Sequence, residues 1–277
     1  MTENTRNMTV LVTGATGRTG SRVAAAARAA GLTVRPGSRA TGFDWDEPST
    51  WAGALAGADA AYLVHPTDVG SPAATEAVGA LAREAVGLGV RRLVLLSSRG
   101  EERALATEEA LRSSGADWTV VRAAWFAQNF SEGPLVEGLC HGELVFPAGE
   151  VREPFVDVRD IADVVVAVLT GGGRYTGREV EVSGPRLLTF REAVAEISAA
   201  TGAAMTYTPV SAREYGEVLA GFGVPAEEVT FLVELFGSLL DGRNAHLSDG
   251  VPEILGRAPR DFTEFAREAA AAGAWKA

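Results

Sequence analysis

The chain has 277 residues, 47% hydrophobic and 22% charged, a balance that supports a buried core and excludes intrinsic disorder. Its 25 basic and 36 acidic residues leave a formal charge of −11, the wrong sign for a protein whose main ligand is nucleic acid. A single cysteine, Cys140, excludes an intrachain disulfide and a four-thiolate zinc site, and fits a reducing compartment.

Met8–Thr13 reads as a strand, followed by a glycine-rich loop and an alanine-rich helix that runs to Ala30 and stops at Gly31. Leu32–Arg39 is a weaker strand whose Pro36 and Gly37 suggest an irregular end near a ligand or a sheet edge. Ala60–Val64 is a third strand. A helix over Pro72–Leu88, a strand at Arg92–Ser97, a helix over Glu101–Ser114 and a strand at Asp117–Arg122 follow. Strands alternating with helices at this spacing predict parallel βαβ units, an α/β doubly wound parallel sheet of the Rossmann kind. A helix at Asp157–Thr170 and a strand at Glu179–Val182 join that sheet. The rest is mainly helical, at Thr189–Ala200, Ala212–Ala220, Ala226–Leu240 and Phe262–Ala272. The expected division is a nucleotide-binding domain over residues 1–150, receiving residues 155–183, and a smaller mainly helical C-terminal substrate lobe over 184–277. The last helix is expected to pack back on the first domain. Met1–Asn7 lacks the apolar stretch of a secretory leader, and the best apolar run, Ile161–Leu169, is short and broken by Asp163. A cytoplasmic protein without a membrane partner is the expectation; oligomeric state is not encoded at this level.

The first loop carries the chemistry. In Val10-Leu-Val-Thr-Gly14-Ala-Thr16-Gly17-Arg18-Thr19-Gly20 the glycines recur every three residues between a strand and a helix. They let the chain turn off the strand, bring backbone against a pyrophosphate, and seat the helix close to the sheet, with its N-terminal N–H groups facing the phosphates. The spacing departs from the dinucleotide fingerprint, whose first two glycines lie two apart. About twenty residues on, where an NAD-type site places a carboxylate for the ribose hydroxyls, stand Ser38 and Arg39. A hydroxyl beside a guanidinium suits a 2′-phosphate, so the expected cofactor is NADP(H). Asp44 and Trp45 either border the adenine or only close the next turn.

Several motifs together resemble the NmrA-like atypical short-chain dehydrogenases/reductases. They are Gly14-Ala-Thr-Gly17-Arg-Thr-Gly20, Ser113-Ser-Gly-Ala-Asp-Trp-Thr-Val-Val-Arg122, Phe126-Ala-Gln-Asn129, Phe155-Val-Asp-Val-Arg-Asp-Ile-Ala162, Leu188-Thr-Phe-Arg-Glu192 and Gly256-Arg-Ala-Pro-Arg260. Ala123 stands where the family pattern has proline. The resemblance implies an NADPH-dependent oxidoreductase, a quinone, ketone, alkene or dye reductase, or a regulator that binds the nucleotide without turnover. The arginine-for-lysine bias and heavy Ala and Gly usage resemble chains of high-GC actinobacteria, in which such enzymes tailor secondary metabolites, antibiotics among them. Within that setting the nearest class by analogy is an aromatic-polyketide, angucyclinone-type ketoreductase.

Ordinary members of the wider class donate a proton from a Tyr supported by a Lys four residues later. Here the tyrosines Tyr62, Tyr175, Tyr207 and Tyr215 are followed at that spacing by Pro66, Glu179, Ser211 and Leu219, and the only lysine is Lys276. The helix where the family often carries an active-site Lys offers Arg103, Ala104, Leu105, Ala106 and Thr107 instead. A positioned acid is worth ~10²–10⁴-fold, and orientation of the reactants supplies several kcal/mol on its own. The expected reaction is therefore hydride transfer to a planar aromatic carbonyl, a polyketide ketone or quinone, with the proton from a substrate hydroxyl or water.

The sheet's carboxyl edge supplies the remaining candidates. Ser97 is the candidate for orienting the carbonyl near the nicotinamide, unless it merely ends its strand, and Ser98 faces the substrate. Val64 and His65 line the cofactor. Trp125, Phe126, Gln128, Asn129 and Phe130, with Phe155 and Phe231, suit a flat ligand or else form core. Phe231, Leu232, Leu235 and Phe236 at helical spacing complete an apolar wall or a buried face. Cys140-His141 lacks the geometry of a dyad. Asp157 and Asp160 read as helix-start carboxylates, and His65, His141 and His246 have no metal-ligand spacing. No metal is expected.

Overall fold

The computed structural model describes residues 8–133 and 135–276, so the polar Met1–Asn7 of the sequence reading lies outside the described residues. The described chain groups into two compact units. One comprises residues up to 123 with 158–182 and 249–258; the other comprises 124–157, 183–248 and 259 onward.

The first unit is a six-stranded parallel sheet. β1 (Thr9–Thr13) leads through α1 (Arg18–Ala29) to β2 (Thr33–Gly37), then α2 (Trp51–Leu55), β3 (Ala60–Leu63), α3 (Pro72–Gly87), β4 (Arg92–Ser98), α4 (Ala104–Arg112) and β5 (Asp117–Ala123). α7 (Val158–Thr170), β8 (Arg178–Val182) and α11 (Gly250–Leu255) complete it, with strand order β2-β1-β3-β4-β5-β8. Alternation along β1 sends Leu11 to a layer with Trp51, Leu55, Leu81, Leu93 and Leu111. Val10 and Val12, fully buried, take the opposite face. On α1 the buried Val23, Ala24 and Ala27 recur at helical spacing, and α1 packs beside α7 while α3 packs beside α4. The doubly wound α/β sheet expected from the alternation is what forms.

The second unit carries α5 (Asn129–Glu132), α6 (Val136–Cys140), β6 (Glu143–Phe146), β7 (Arg152–Glu153), β9 (Leu188–Thr189), α8 (Phe190–Thr201), β10 (Thr206–Pro209), α9 (Ala212–Gly221), α10 (Ala226–Leu239) and α12 (Phe262–Ala272). It is mainly helical, with β6 pairing parallel to β10 and β7 antiparallel to β9. The boundary expected near residue 150 falls instead after Ala123. The reason is aromatic packing: Phe130, Phe146 and Phe155 form one core with Phe190 and Phe262. For the same reason α12, expected to return to the first domain, lies in the second unit against α8. β6, β7 and β10 carry no strong periodicity and were missed; each is short and paired only to another short strand.

Candidate cofactor and active site

The chain leaves β1, forms β2 on one side of it, and crosses over to form β3 on the other. The carboxyl ends of β1 and β3 are thus the switch point at which open α/β sheets bind ligands. Thr13, fully buried, staples that point: its Oγ1 accepts the Val64 N–H at 2.8 Å and lies within 3.1 Å of the Tyr62 carbonyl. Neither Thr13 nor Tyr62 was singled out from the sequence, since both read as ordinary strand residues.

Gly14 and Gly20 are steric necessities. Gly14 has a φ of +59°, and a Cβ there would stand 2.7 Å from Val64 Cγ1. The Gly17 N–H closes the turn onto the Gly14 carbonyl at 2.8 Å. Gly17 is the N-cap of α1 and contributes no side-chain cap, so the first-turn N–H groups keep their direction toward the loop. A Cβ on Gly20 would lie 2.1 Å from the Gly14 carbonyl oxygen, so only glycine lets α1 start this close to the loop. A cradle that any side chain would fill, opening on a helix N-terminus, fits a pyrophosphate. Thr16 is exposed at its rim, Arg18 is half-buried, and Thr19 is buried against Tyr62, whose phenol is pushed up by its own burial.

Thr13 pairs with Gly37, so Ser38 and Arg39 emerge directly beside the cradle. Ser38 is tied into a box with Thr41, whose hydroxyl donates to the Pro36 carbonyl at 2.7 Å. Arg39 opens the following 3-10 turn with its side chain exposed. Asp44 holds its own turn, accepting the Asp46 N–H at 3.1 Å, while its carbonyl takes the Trp51 indole N–H at 2.8 Å. Trp45 is buried edge-on to Phe43, Trp51 and His65, with its indole N–H on the Val64 carbonyl. Both are thus engaged in the fold. His65 Nδ1 accepts the Thr67 N–H at 3.3 Å, and burial lowers the imidazole's pKa against the pull of Asp46.

Ser97 is a correction. Its hydroxyl is buried and donates to Glu108 Oε1 at 2.7 Å, inside a network that joins Arg122, Arg112 and Glu179. Burial opposes the Glu108 charge, but Arg122, Ser97 and Arg112 outweigh it and hold the carboxyl below its ordinary range. With its O–H donated to Glu108, Ser97 ties β4 to α4 rather than offering that hydrogen to a ligand. Ser98, on the opposite face of the strand, is half-buried and faces Glu101. Glu101 is buried with its carboxyl raised to about 8, by burial first and then by Asp68. Sequence reading put Glu101 at the start of a helix; the helix starts at Ala104, and Glu101 lies in the turn after Gly100, whose φ is +77°.

Within the second unit the expected ligand wall separates into two groups. Phe130 and Phe155 are fully interior, packed on Phe190 and Phe262. Gln128 is buried and donates to Asp157 Oδ1 at 3.0 Å. These three are corrections: an aromatic-dense segment buries its rings against one another, and a buried amide finds a carboxylate. Trp125, Phe126, Asn129 and Phe231 stay half-buried. Trp125 packs against Phe146, Phe190 and Phe236, and its Nε1 is buried with no hydrogen-bond partner. Leu235 and Phe236 are buried and Leu232 is half-buried on the same core. None of the four tyrosines is set up as an acid: Tyr62 is fully buried, Tyr175 and Tyr215 are buried, and the Tyr207 hydroxyl donates to the Phe146 carbonyl at 3.2 Å. Among the described residues no cluster of three metal-ligating side chains exists, and no helix is long and apolar enough to cross a membrane.

A family model described as NAD(P)H-binding matches residues 14–171, from the first cradle glycine past α7. The chain belongs to that family. A (4-alkanoyl-5-oxo-2,5-dihydrofuran-3-yl)methyl phosphate reductase from Streptomyces griseus is 34% identical, over 95% of this chain and 98% of its own. An NAD(P)H azoreductase from Xenophilus azovorans is 30% identical, over 95% of this chain and 98% of its own. The triphenylmethane reductase of Citrobacter sp., solved with NADP(H), shares the fold with a TM-score of 0.76 at 22% identity, covering 95% of this chain and all of that one. The chain is an NAD(P)H-dependent oxidoreductase, and it shares its fold with NmrA, a negative transcriptional regulator, at a TM-score of 0.72 and 17% identity. Gly14, Gly17 and Gly20 with the α1 N-terminus are the residues that would hold the pyrophosphate, and the bound cofactor supplies a hydride.

Proposed function

We propose that the chain reduces a planar, conjugated carbonyl, an aromatic polyketide ketone or a quinone, at the expense of NADPH, in the cytoplasm. The chain's own part is to bind and orient. Ser38 and Arg39 select the 2′-phosphate, Val64 and His65 border the cofactor, and Ser98 replaces Ser97 as the hydroxyl facing the substrate. Within the second unit, Trp125, Phe126, Asn129 and Phe231 are the half-buried side chains suited to a flat ring system. The relatives fit this class: the substrates that two of them are named for, an azo compound and an acylated unsaturated lactone phosphate, are conjugated acceptors. Such acceptors need little help from a strong acid, which matches a chain without a Tyr/Lys pair.

The observation that carries the reading is the Trp125 indole N–H, buried without an acceptor amid aromatic rings. An orphaned buried donor costs ~1–3 kcal/mol, and a substrate oxygen placed there recovers it. Incubation with NADPH and a panel of quinones and aryl ketones, followed by loss of nicotinamide absorbance, tests the proposal. A second reading, a sensor that binds NADP(H) without turnover, is favoured by the structural engagement of all four tyrosines. Tight, redox-selective nucleotide binding with no turnover on any acceptor would establish the sensor instead.

A further inference from the structure

The reduction of a ketone needs a proton as well as a hydride, and two loops at the carboxyl edge bring together the groups that would provide it. β3 and β4 are adjacent and parallel, with Leu63 paired to Leu95. The loop after β3 carries Asp68 and Gly70; the turn after β4 carries Glu101. Glu101 is only 6% exposed, and its Oε1 is buried without a hydrogen-bond partner. Gly70 makes room for it, since a Cβ there would stand 2.0 Å from that Oε1. Asp68 Oδ1 accepts the Gly70 N–H at 2.8 Å, which fixes the loop over the Glu101 carboxyl. The groups facing Glu101 are the Asp68 carboxyl, which shares the Gly70 loop with it, the Ser98 hydroxyl and the Arg103 charge.

We propose that Glu101, sharing one proton with Asp68, is the proton store of the reaction and delivers through the Ser98 hydroxyl to the substrate oxygen. This rests on the reductase reading above and names the acid which that reading lacks. Two carboxyls can hydrogen-bond each other only if one keeps its proton, and burial disfavours a second negative charge beside Asp68. The carboxyl raised to about 8 agrees with this arrangement.

Bound NADPH would supply a hydride, two electrons and one hydrogen, to the carbonyl carbon, with the carbonyl π pair passing to oxygen. The oxygen takes the Ser98 proton, Ser98 takes the Glu101 proton, and water reprotonates the carboxylate. Glu101 acts through Ser98 and is a positioning and proton-supplying residue rather than one that touches substrate.

The test compares wild type, Glu101→Gln and Ser98→Ala on two acceptors: an aryl ketone, whose reduction consumes a proton, and a cationic triarylmethane dye, whose central carbon accepts hydride with none. Glu101→Gln keeps a hydrogen bond to Asp68 but has no proton to transfer. Glu101→Gln is expected to lose ~10²-fold or more in ketone kcat, to keep the dye rate, and to abolish the wild-type fall in ketone turnover above about pH 8; Ser98→Ala is expected to lose ketone kcat to the same degree. Infrared spectra of the cofactor-free protein supply an independent readout: a protonated-carboxyl band at neutral pH in wild type, missing in Glu101→Gln. Equal losses on both acceptors, unchanged ketone turnover, or no such band in wild type would overturn the proposal. If wild type reduces neither acceptor, the reductase reading fails instead, and the infrared band still decides the protonation of Glu101.

Discussion

Replacing Gly20 with alanine sets two measurable effects against each other. Alanine is the better helix former, by ~0.8–1.0 kcal/mol in an exposed helix interior. At Gly20 its Cβ would sit 2.1 Å from the Gly14 carbonyl oxygen, 2.6 Å from its carbon and 2.9 Å from the Thr13 oxygen, all backbone atoms. Because real Cβ atoms do not approach nearer than 3.0 Å, helix and loop must part by about 0.9 Å. Overpacking of this kind costs ~1–3 kcal/mol, so the steric effect wins and stability falls. The consequence for the cofactor is larger. A displacement of that size takes an amide-to-phosphate bond out of its 2.7–3.2 Å range, and each charge-assisted bond lost costs ~1.5–3 kcal/mol, or ~10–150-fold in Kd. Gly17→Ala is the control: its backbone is extended (φ −87°), and the added Cβ would meet only the Gly14 oxygen, at 3.3 Å. Fluorescence titration with NADPH and thermal melting of both variants check the argument. Gly20→Ala should bind at least ~10-fold more weakly than wild type and melt a few degrees lower, with Gly17→Ala close to wild type in melting. Wild-type NADPH affinity in Gly20→Ala would refute the steric account of the cradle.

Arg39→Ala removes the guanidinium that follows Gly37 at the cradle. It should raise the Kd for NADPH ~10-fold or more while leaving NADH within about twofold, read by parallel titrations. Trp125→Phe keeps an aromatic ring and deletes the buried orphan N–H, so the melting temperature should hold or rise while KM for an aryl ketone increases ~5–10-fold; unchanged KM with lower stability would remove Trp125 from the ligand's partners. Glu108→Gln breaks a buried network in which Arg122 and Arg112 both pair with this carboxyl, and should cost ~3 kcal/mol by urea unfolding at neutral pH. The wild-type contribution has a definite pH sense: the folded carboxyl titrates below its ordinary 4.5, so its stabilisation is complete above that value and is lost as pH falls through the depressed one. The difference between wild type and Glu108→Gln should therefore shrink in acid.

The cradle was legible because its signal is local. Gly14, Gly17 and Gly20 lie between a β-branched strand and an alanine-rich helix, and backbone sterics require glycine at the first and last of them. Ser38 and Arg39 were legible for a related reason, since parallel pairing fixes where the second strand must end. The pocket residues were harder. Phe130, Phe155 and Gln128 look the same in sequence as Trp125 and Phe126, yet the first three are interior and the last two are not. Periodicity states that a side chain is apolar; which neighbour covers it depends on chain segments 30 to 140 residues away.

The sequence by itself determined the alternating α/β order, the glycine cradle, the missing Tyr/Lys pair and the poverty in lysine, because each is a property of residue type and near spacing. Only the tertiary structure decided that Ser97 serves Glu108, that Phe130 and Phe155 draw residues 124–157 into the second unit, and that Glu101 lies buried beside Asp68. Those outcomes turn on desolvation and on pairing between distant segments, and a side chain's protonation and hydrogen-bond partner do not exist until the fold has assembled its surroundings.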